Sequence, residues 1–135
     1  MAFLLDTNPC IGYLNGRSDI LRRRIDAVRD EPILVSSIVK GELFFGAIKS
    51  RDPATTLALQ REFLCRFGSL PFDDQAAEAY GRIRADLERR GATIGANDLM
   101  IAATALANHA TLVTHNTAEF SRVPDLAVED WETES

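Results

Sequence analysis

The sequence predicts an α/β protein, a three-layer α/β/α sandwich around a short-stranded, mostly parallel central sheet. Three observations carry this. Short apolar runs at residues 3–5, 33–35 and 111–114 are continuous rather than alternating, the pattern of strands buried on both faces. Longer stretches of helical period separate them, as in repeated βαβ units. The 135 residues are 46% hydrophobic and 26% charged, enough for a core without disulfide or metal staples and close to the length of one domain. One domain over residues 1–135 is expected.

The elements follow in order. Phe3, Leu4 and Leu5 form a buried strand, and Asn8-Pro9 reads as an N-cap followed by a proline at the first helical position. Ile11 and Leu14 give that short helix its apolar face, and Asn15-Gly16 ends it. Leu21, Ile25 and Val28 recur at helical spacing, with Arg22, Arg23, Arg24 and Arg29 on the opposite face. Residues 33–35 form a second strand. Ser36 then caps a helix to about Lys49, with Ile38, Val39, Leu43 and Ile48 inward. Asp52-Pro53 opens the next helix, with Leu57, Leu64 and Phe67 before Gly68. Residues 70–72 are extended. Asp73 or Asp74 caps a helix carrying Ala76, Tyr80, Ile83 and Leu87, which Gly91 stops. Asn97-Asp98 opens an alanine-rich helix to about His109, residues 111–114 form a strand, and residues 126–128 a last short one.

The net charge of −5 excludes a protein that coats nucleic acid through bulk positive charge, though not a nucleic-acid enzyme with a local basic rim. Of 15 basic residues only Lys40 and Lys49 are lysines. Arg22–Arg24 and Arg82, Arg84, Arg89 and Arg90 could grip phosphates, but Asp26, Asp86 and Glu88 nearby make a solvated helix face the default. Cys10 and Cys65 lack metal-ligand spacing and read as buried, reduced thiols of a cytoplasmic protein. No signal peptide and no membrane span is expected.

Ligands of open parallel sheets bind at the carboxyl ends of the strands. Asp6 directly follows the first strand, Asp98 opens a helix, Glu119 follows the strand at 111–114 after a short loop, and Glu42 lies in the helix after the second strand. Folding would bring the four to one edge. Clustered carboxylates raise each other's pKa unless neutralised, and no lysine or arginine adjoins them in sequence. A hard dication, Mg²⁺ or else Mn²⁺, is the natural counter-charge, and such sites hydrolyse phosphodiesters. Each acid also has a plain reading: Asp98 as an N-cap, Glu119 as a solvated loop acid, Asp6 as a turn residue. Glu42, set among Val39, Leu43 and Phe44, is harder to explain so.

Four blocks carry a family resemblance. Leu5-Asp6-Thr7-Asn8 resembles the opening of PIN-domain ribonucleases, and Ser36-Ser37-Ile38-Val39-Lys40-Gly41-Glu42-Leu43 their second block. The stretches from Ile94 to Ala103 and from Leu112 to Phe120, with Arg122-Val123-Pro124 and Glu129-Asp130-Trp131 behind, resemble the third and fourth. In order and span the chain is similar to VapC toxins of toxin–antitoxin pairs. The resemblance implies a PIN-like fold and Mg²⁺-dependent endonucleolytic cleavage of RNA, of tRNA or ribosomal RNA, leaving 5′-phosphate and 3′-hydroxyl ends. Asp6 and Asp98 would be the principal metal ligands, and Glu42 and Glu119 would complete the acidic site through water. Thr7, Thr114 and Asn116 would hold the carboxylates and water in place. An antitoxin protein would occlude the site, inserting a basic side chain among the acids, and the toxin would form a homodimer. Departures from the usual pattern are Glu119 for Asp, His115 for Asn, Pro9 for an aliphatic residue and Asp125 for Gly.

Three other readings compete. A haloacid-dehalogenase-type phosphatase needs a second Asp two residues after Asp6, where Asn8 stands. A metal-free ribonuclease would need two catalytic histidines, but His109 reads as a helix-end dipole partner and His115 as a loop residue. A non-catalytic PIN-fold interaction module would have no use for all four acids. Tyr13, Phe44 and Phe45 could stack on bases but read better as core or dimer-interface residues. Trp131 reads as a packing plug.

Overall fold

The computed structural model describes residues 1–28 and 30–133. The expected position of Arg29 on the second helix lies outside the described residues. Strands β1 (Ala2–Leu5), β2 (Ile33–Ser36), β3 (Gly68–Leu70), β4 (Ala110–Val113) and β5 (Val128–Glu129) form one sheet in the order β3-β2-β1-β4-β5. All four pairings are parallel, with Leu5 opposite both Val35 and Val113. Helices α1 (Thr7–Asn15), α2 (Asp19–Ala27), α3 (Ser37–Ile48), α4 (Pro53–Leu64), α5 (Asp74–Arg89), α6 (Ala96–Ala107) and the single turn α7 (Thr117–Phe120) connect and cover the strands, giving the α/β/α architecture. Leu4, Leu5, Val35, Leu112 and Val113 are wholly buried, as the continuous apolar runs required.

Strand order places the topological switch between β1 and β4: from β1 the chain moves outward through β2 and β3, then returns to β4 on the other side. A crevice at the carboxyl ends of β1 and β4 follows from that reversal.

The caps show where local signals sufficed. Ser36 Oγ accepts from Val39 N–H, Asp52 from Thr55 N–H and Asp73, rather than Asp74, from Ala76 N–H. Two helices start earlier than the sequence signals suggested. The N-cap of α1 is Asp6, not Asn8, and Pro9 falls inside the first turn. The N-cap of α6 is Gly95, so Asn97 and Asp98 lie within its first turn.

Other expectations are corrected. Ile48 is 64% exposed: the buried stripe of α3 runs Val39, Leu43, Ala47, and Ile48 sits about 100° beyond it. Phe45, equally exposed, lies under the Lys49 ammonium at 5.0 Å from the ring centroid, and Phe44 packs against the core. Cys65 is exposed, whereas Cys10 is buried. The third strand begins at Gly68 rather than residue 70, and β5 is shifted to Val128–Glu129. His109 takes a left-handed φ of 53° and ends α6 in a conformation glycine usually supplies. Trp131 is buried edge-on against Phe3 at 4.9 Å, as a packing plug would be.

Three arginines on or capping α5 pair with acids of that helix: Arg84 with Glu88 at 2.8 Å, Arg89 with Asp86 at 2.6 Å and Arg90 with Asp86 at 2.7 Å. Those pairs are the solvated face expected by default.

Candidate active site

Asp6 leaves the end of the central strand and is 4% exposed. As the N-cap of α1 its side chain makes no capping bond. Its Oδ2 instead accepts from Thr114 Oγ1 at 2.8 Å, directly after β4 across the switch point. The Thr114 hydroxyl in turn accepts from Asn116 N–H at 3.0 Å. One buried threonine thus locks two strand ends together and fixes the Asp6 carboxylate.

Glu42 lies in the second turn of α3, half-buried, and accepts from Thr7 Oγ1 at 2.8 Å. Asp98 lies in the first turn of α6, half-buried, hydrogen-bonded to Glu119. Glu119 sits on α7, a turn of helix where a loop was expected. Its Oε2 accepts from Asn116 Nδ2 at 2.6 Å and its Oε1 from Gly95 N–H at 3.1 Å. Thr7, Thr114 and Asn116 therefore each touch one of the acids.

The four acids act on one another electrostatically. Burial is the main cause that holds the Asp6 carboxyl above its usual range; Glu42 and Glu119 add to it, while Thr114 and the Thr7 N–H oppose it. Burial, then the charges of Glu119, Asp6 and Glu42, push Asp98 up to about 7. Burial also works to raise Glu119, yet its net displacement is downward. The donors Gly95 N–H, Asn116 and Asp98, with the Arg122 guanidinium nearby, outweigh burial there. Asp98 is therefore the acid of this pair that keeps its proton to higher pH.

Two contributors escaped sequence reasoning. Gly95 donates its backbone N–H from 24 residues away, which no local pattern reports. Arg122, three residues after Glu119 and so not adjoining it in sequence, places a guanidinium near that carboxylate; the spacing was the available signal. Arg122 also donates to Thr93 O at 2.9 Å, tying the loop before α6 to the end of α7.

The donor set tests the fit of a metal. It consists of carboxylate oxygens, and burial together with their mutual repulsion pushes Asp98 up to about 7. A hard dication suits such oxygens and relieves that repulsion. Asp6, at the end of β1, and Asp98, in the first turn of α6, would hold it.

Comparison with known proteins identifies the family. The PIN domain matches residues 3–126. The chain is 38% identical to "Ribonuclease VapC2" of Rickettsia felis over 98% of this chain and 99% of that one. It is 39% identical to "tRNA(fMet)-specific endonuclease VapC" of Salmonella typhimurium over 97% of this chain and 98% of that one. Among solved structures it superposes on VapBC2 from Rickettsia felis, bound to a promoter DNA fragment, with TM-score 0.93, 37% identity and coverage of 97% and 99%. On DNA-bound VapBC from Salmonella typhimurium the TM-score is 0.91, with 39% identity and coverage of 97% and 98%. This excludes the haloacid-dehalogenase reading, and the chain belongs to the PIN-domain family, alongside the VapC ribonucleases of toxin–antitoxin pairs.

Proposed function

We propose that residues 1–135 form one Mg²⁺-dependent endoribonuclease domain acting as the toxin of a toxin–antitoxin pair in the cytoplasm, with tRNA as the first substrate to test. Asp6, Glu42, Asp98 and Glu119 are its catalytic acids. The observation that carries this is electrostatic: burial and the charges of Glu119, Asp6 and Glu42, carried by separate elements, together push Asp98 to about 7. Folding gathers like charge at such cost where a ligand offsets it. The name of the Salmonella relative, a tRNA(fMet)-specific endonuclease, supports the substrate class.

When bound, the dication polarises the phosphoryl oxygen and offsets charge developing on the phosphate. The chain's own residues do the rest. Thr114 holds Asp6 in one rotamer through a 2.8 Å bond, so the ligand geometry is set before binding. Thr7 aims Glu42 at the same space, where it orients a water for in-line approach. Asn116 and Gly95 fix both oxygens of Glu119, so it keeps its place when the Asp98 proton leaves. The same negative pocket accepts a cationic side chain from an antitoxin, which would compete with the metal.

The test is cleavage of purified initiator tRNA, with ends mapped. Expected are 5′-phosphate and 3′-hydroxyl products in Mg²⁺, none in EDTA and on the order of 10³-fold less with Asp6→Asn. Cleavage that persists in EDTA would point instead to a histidine-based, metal-free ribonuclease. Growth arrest on expression of both wild type and Asp6→Asn would favour a non-catalytic interaction module.

A further inference from the structure

A second group of metal-ligating side chains lies outside the four acids. Among the described residues, the one trio of His, Cys, Asp or Glu whose ligand atoms all lie within 4.8 Å of one another is His115, Asp130 and Glu132. We propose that these three bind a transition-metal dication of the Zn²⁺ class through ligands other than the four acids.

Topology makes the trio. β4 and β5 are neighbours, with Val113 opposite Glu129, so the loop after β4 and the segment after β5 leave the sheet side by side. His115 stands on the first. Asp130 and Glu132 flank Trp131 on the second, and the buried indole against Phe3 anchors that segment. His115 Nδ1 is 3.0 Å from Asp130 Oδ2 and 3.9 Å from Glu132 Oε2. Ligands about 2.0–2.2 Å from Zn²⁺ lie roughly 3.4 Å apart around a tetrahedron, so these separations need only small adjustment. One imidazole with two carboxylates favours Zn²⁺ over Mg²⁺.

An independent observation points to a missing ligand. The Glu132 side chain is 10% exposed. Its Oε1 accepts from Arg17 Nη2 at 2.8 Å and Nε at 3.2 Å, but its buried Oε2 has no hydrogen-bond partner. A buried carboxylate oxygen left without a donor is costly, and an ion is one of the few things that satisfies it. Neighbouring groups are already oriented for this. Glu132 N–H donates to Asp130 Oδ1 at 2.9 Å, leaving Oδ2 to the site, and Arg24 Nη1 donates to Asp130 O at 3.1 Å. An open depression of about 550 Å³, lined by Asn8, Arg17, Ser18, His115 and Glu132, gives ions and completing waters access. All five lining residues are polar. The bound ion takes the Nδ1 lone pair of His115, with the imidazole proton on Nε2. It ties the loop that begins at Thr114 to the segment after β5.

The test is Zn²⁺ titration of the full chain by calorimetry, with Tm measured alongside, in wild type and in Asp6→Asn. The second background lowers metal binding at the nuclease centre, so the result does not depend on whether RNA is cut. One Zn²⁺ per chain is expected at this trio in both, any second equivalent at the nuclease centre being confined to wild type, with Tm raised at saturation in both. Affinity should fall at least tenfold in His115→Gln, whose exposed position spares the fold, and in Glu132→Gln. Equal affinity in wild type and both variants would overturn the proposal. So would no binding below millimolar Zn²⁺.

Discussion

Two charge-rich regions of this molecule differ in one respect. On α5, Asp86 and Glu88 each meet an arginine one turn away and stay exposed or half-exposed. At the carboxyl edge of the sheet, Asp6, Glu42, Asp98 and Glu119 meet hydroxyls, amides and each other, with Arg122 near Glu119. Composition would rank the two regions alike. The difference is that the α5 charges are neutralised within the chain, while the edge charges wait for something from outside. Charge pairing, rather than charge density, separates a solvated face from a site.

Substitutions can break that contrast. The largest effect is expected at the metal ligands: Asp6→Asn or Asp98→Asn should lower RNA cleavage by on the order of 10³-fold, the upper scale for losing one electrostatic element of an active site. Single-turnover cleavage of a fixed tRNA substrate measures it. Thr114→Val comes next. It keeps shape but removes the hydrogen bond to Asp6, and should weaken apparent Mg²⁺ affinity about 10–100-fold, read from the Mg²⁺ dependence of the rate.

The third effect concerns stability and has the opposite sign. Asp98 is raised from 3.8 to about 7, so without metal the folded chain holds a proton that the unfolded chain has released in that window. Its contribution therefore falls as pH rises from about 4 to about 7. Glu119, displaced downward from 4.5, acts with the opposite sign: its contribution is present above that value and is lost as pH falls below it. Asp98→Asn should raise the metal-free Tm at pH 8 and flatten its pH dependence between 4 and 7, and Mg²⁺ should raise the wild-type Tm most at pH 8. Thermal melts across pH, with EDTA or Mg²⁺, check this. The smallest effect belongs to the other region: Glu88→Gln breaks the exposed pair with Arg84 and should change stability by about 0.5 kcal/mol or less, with cleavage unchanged.

The comparison also explains how much could be read from sequence. The strands and most caps were legible because they depend on local pattern: continuous apolar runs, Ser36, Asp52-Pro53. The starts of α1 and α6 were misread at the acids themselves. A capping carboxylate normally bonds its own helix, but Asp6 is drawn to Thr114, 108 residues away, and Asp98 to Glu119. Local signals then favoured Asn8-Pro9 and Asn97-Asp98. Gly95 entered the site through a backbone N–H, which no side-chain pattern encodes. The candidacy of the four acids was legible, because strand ends are; which donor holds which carboxylate was not, because those bonds join distant segments.

The most direct test of the account is anomalous diffraction from crystals grown with Mn²⁺. The prediction is a peak bounded by the Asp6 and Asp98 carboxylates that disappears in Asp6→Asn. Anomalous signal only elsewhere, with the space between Asp6 and Asp98 holding no ion at saturating Mn²⁺, would contradict it.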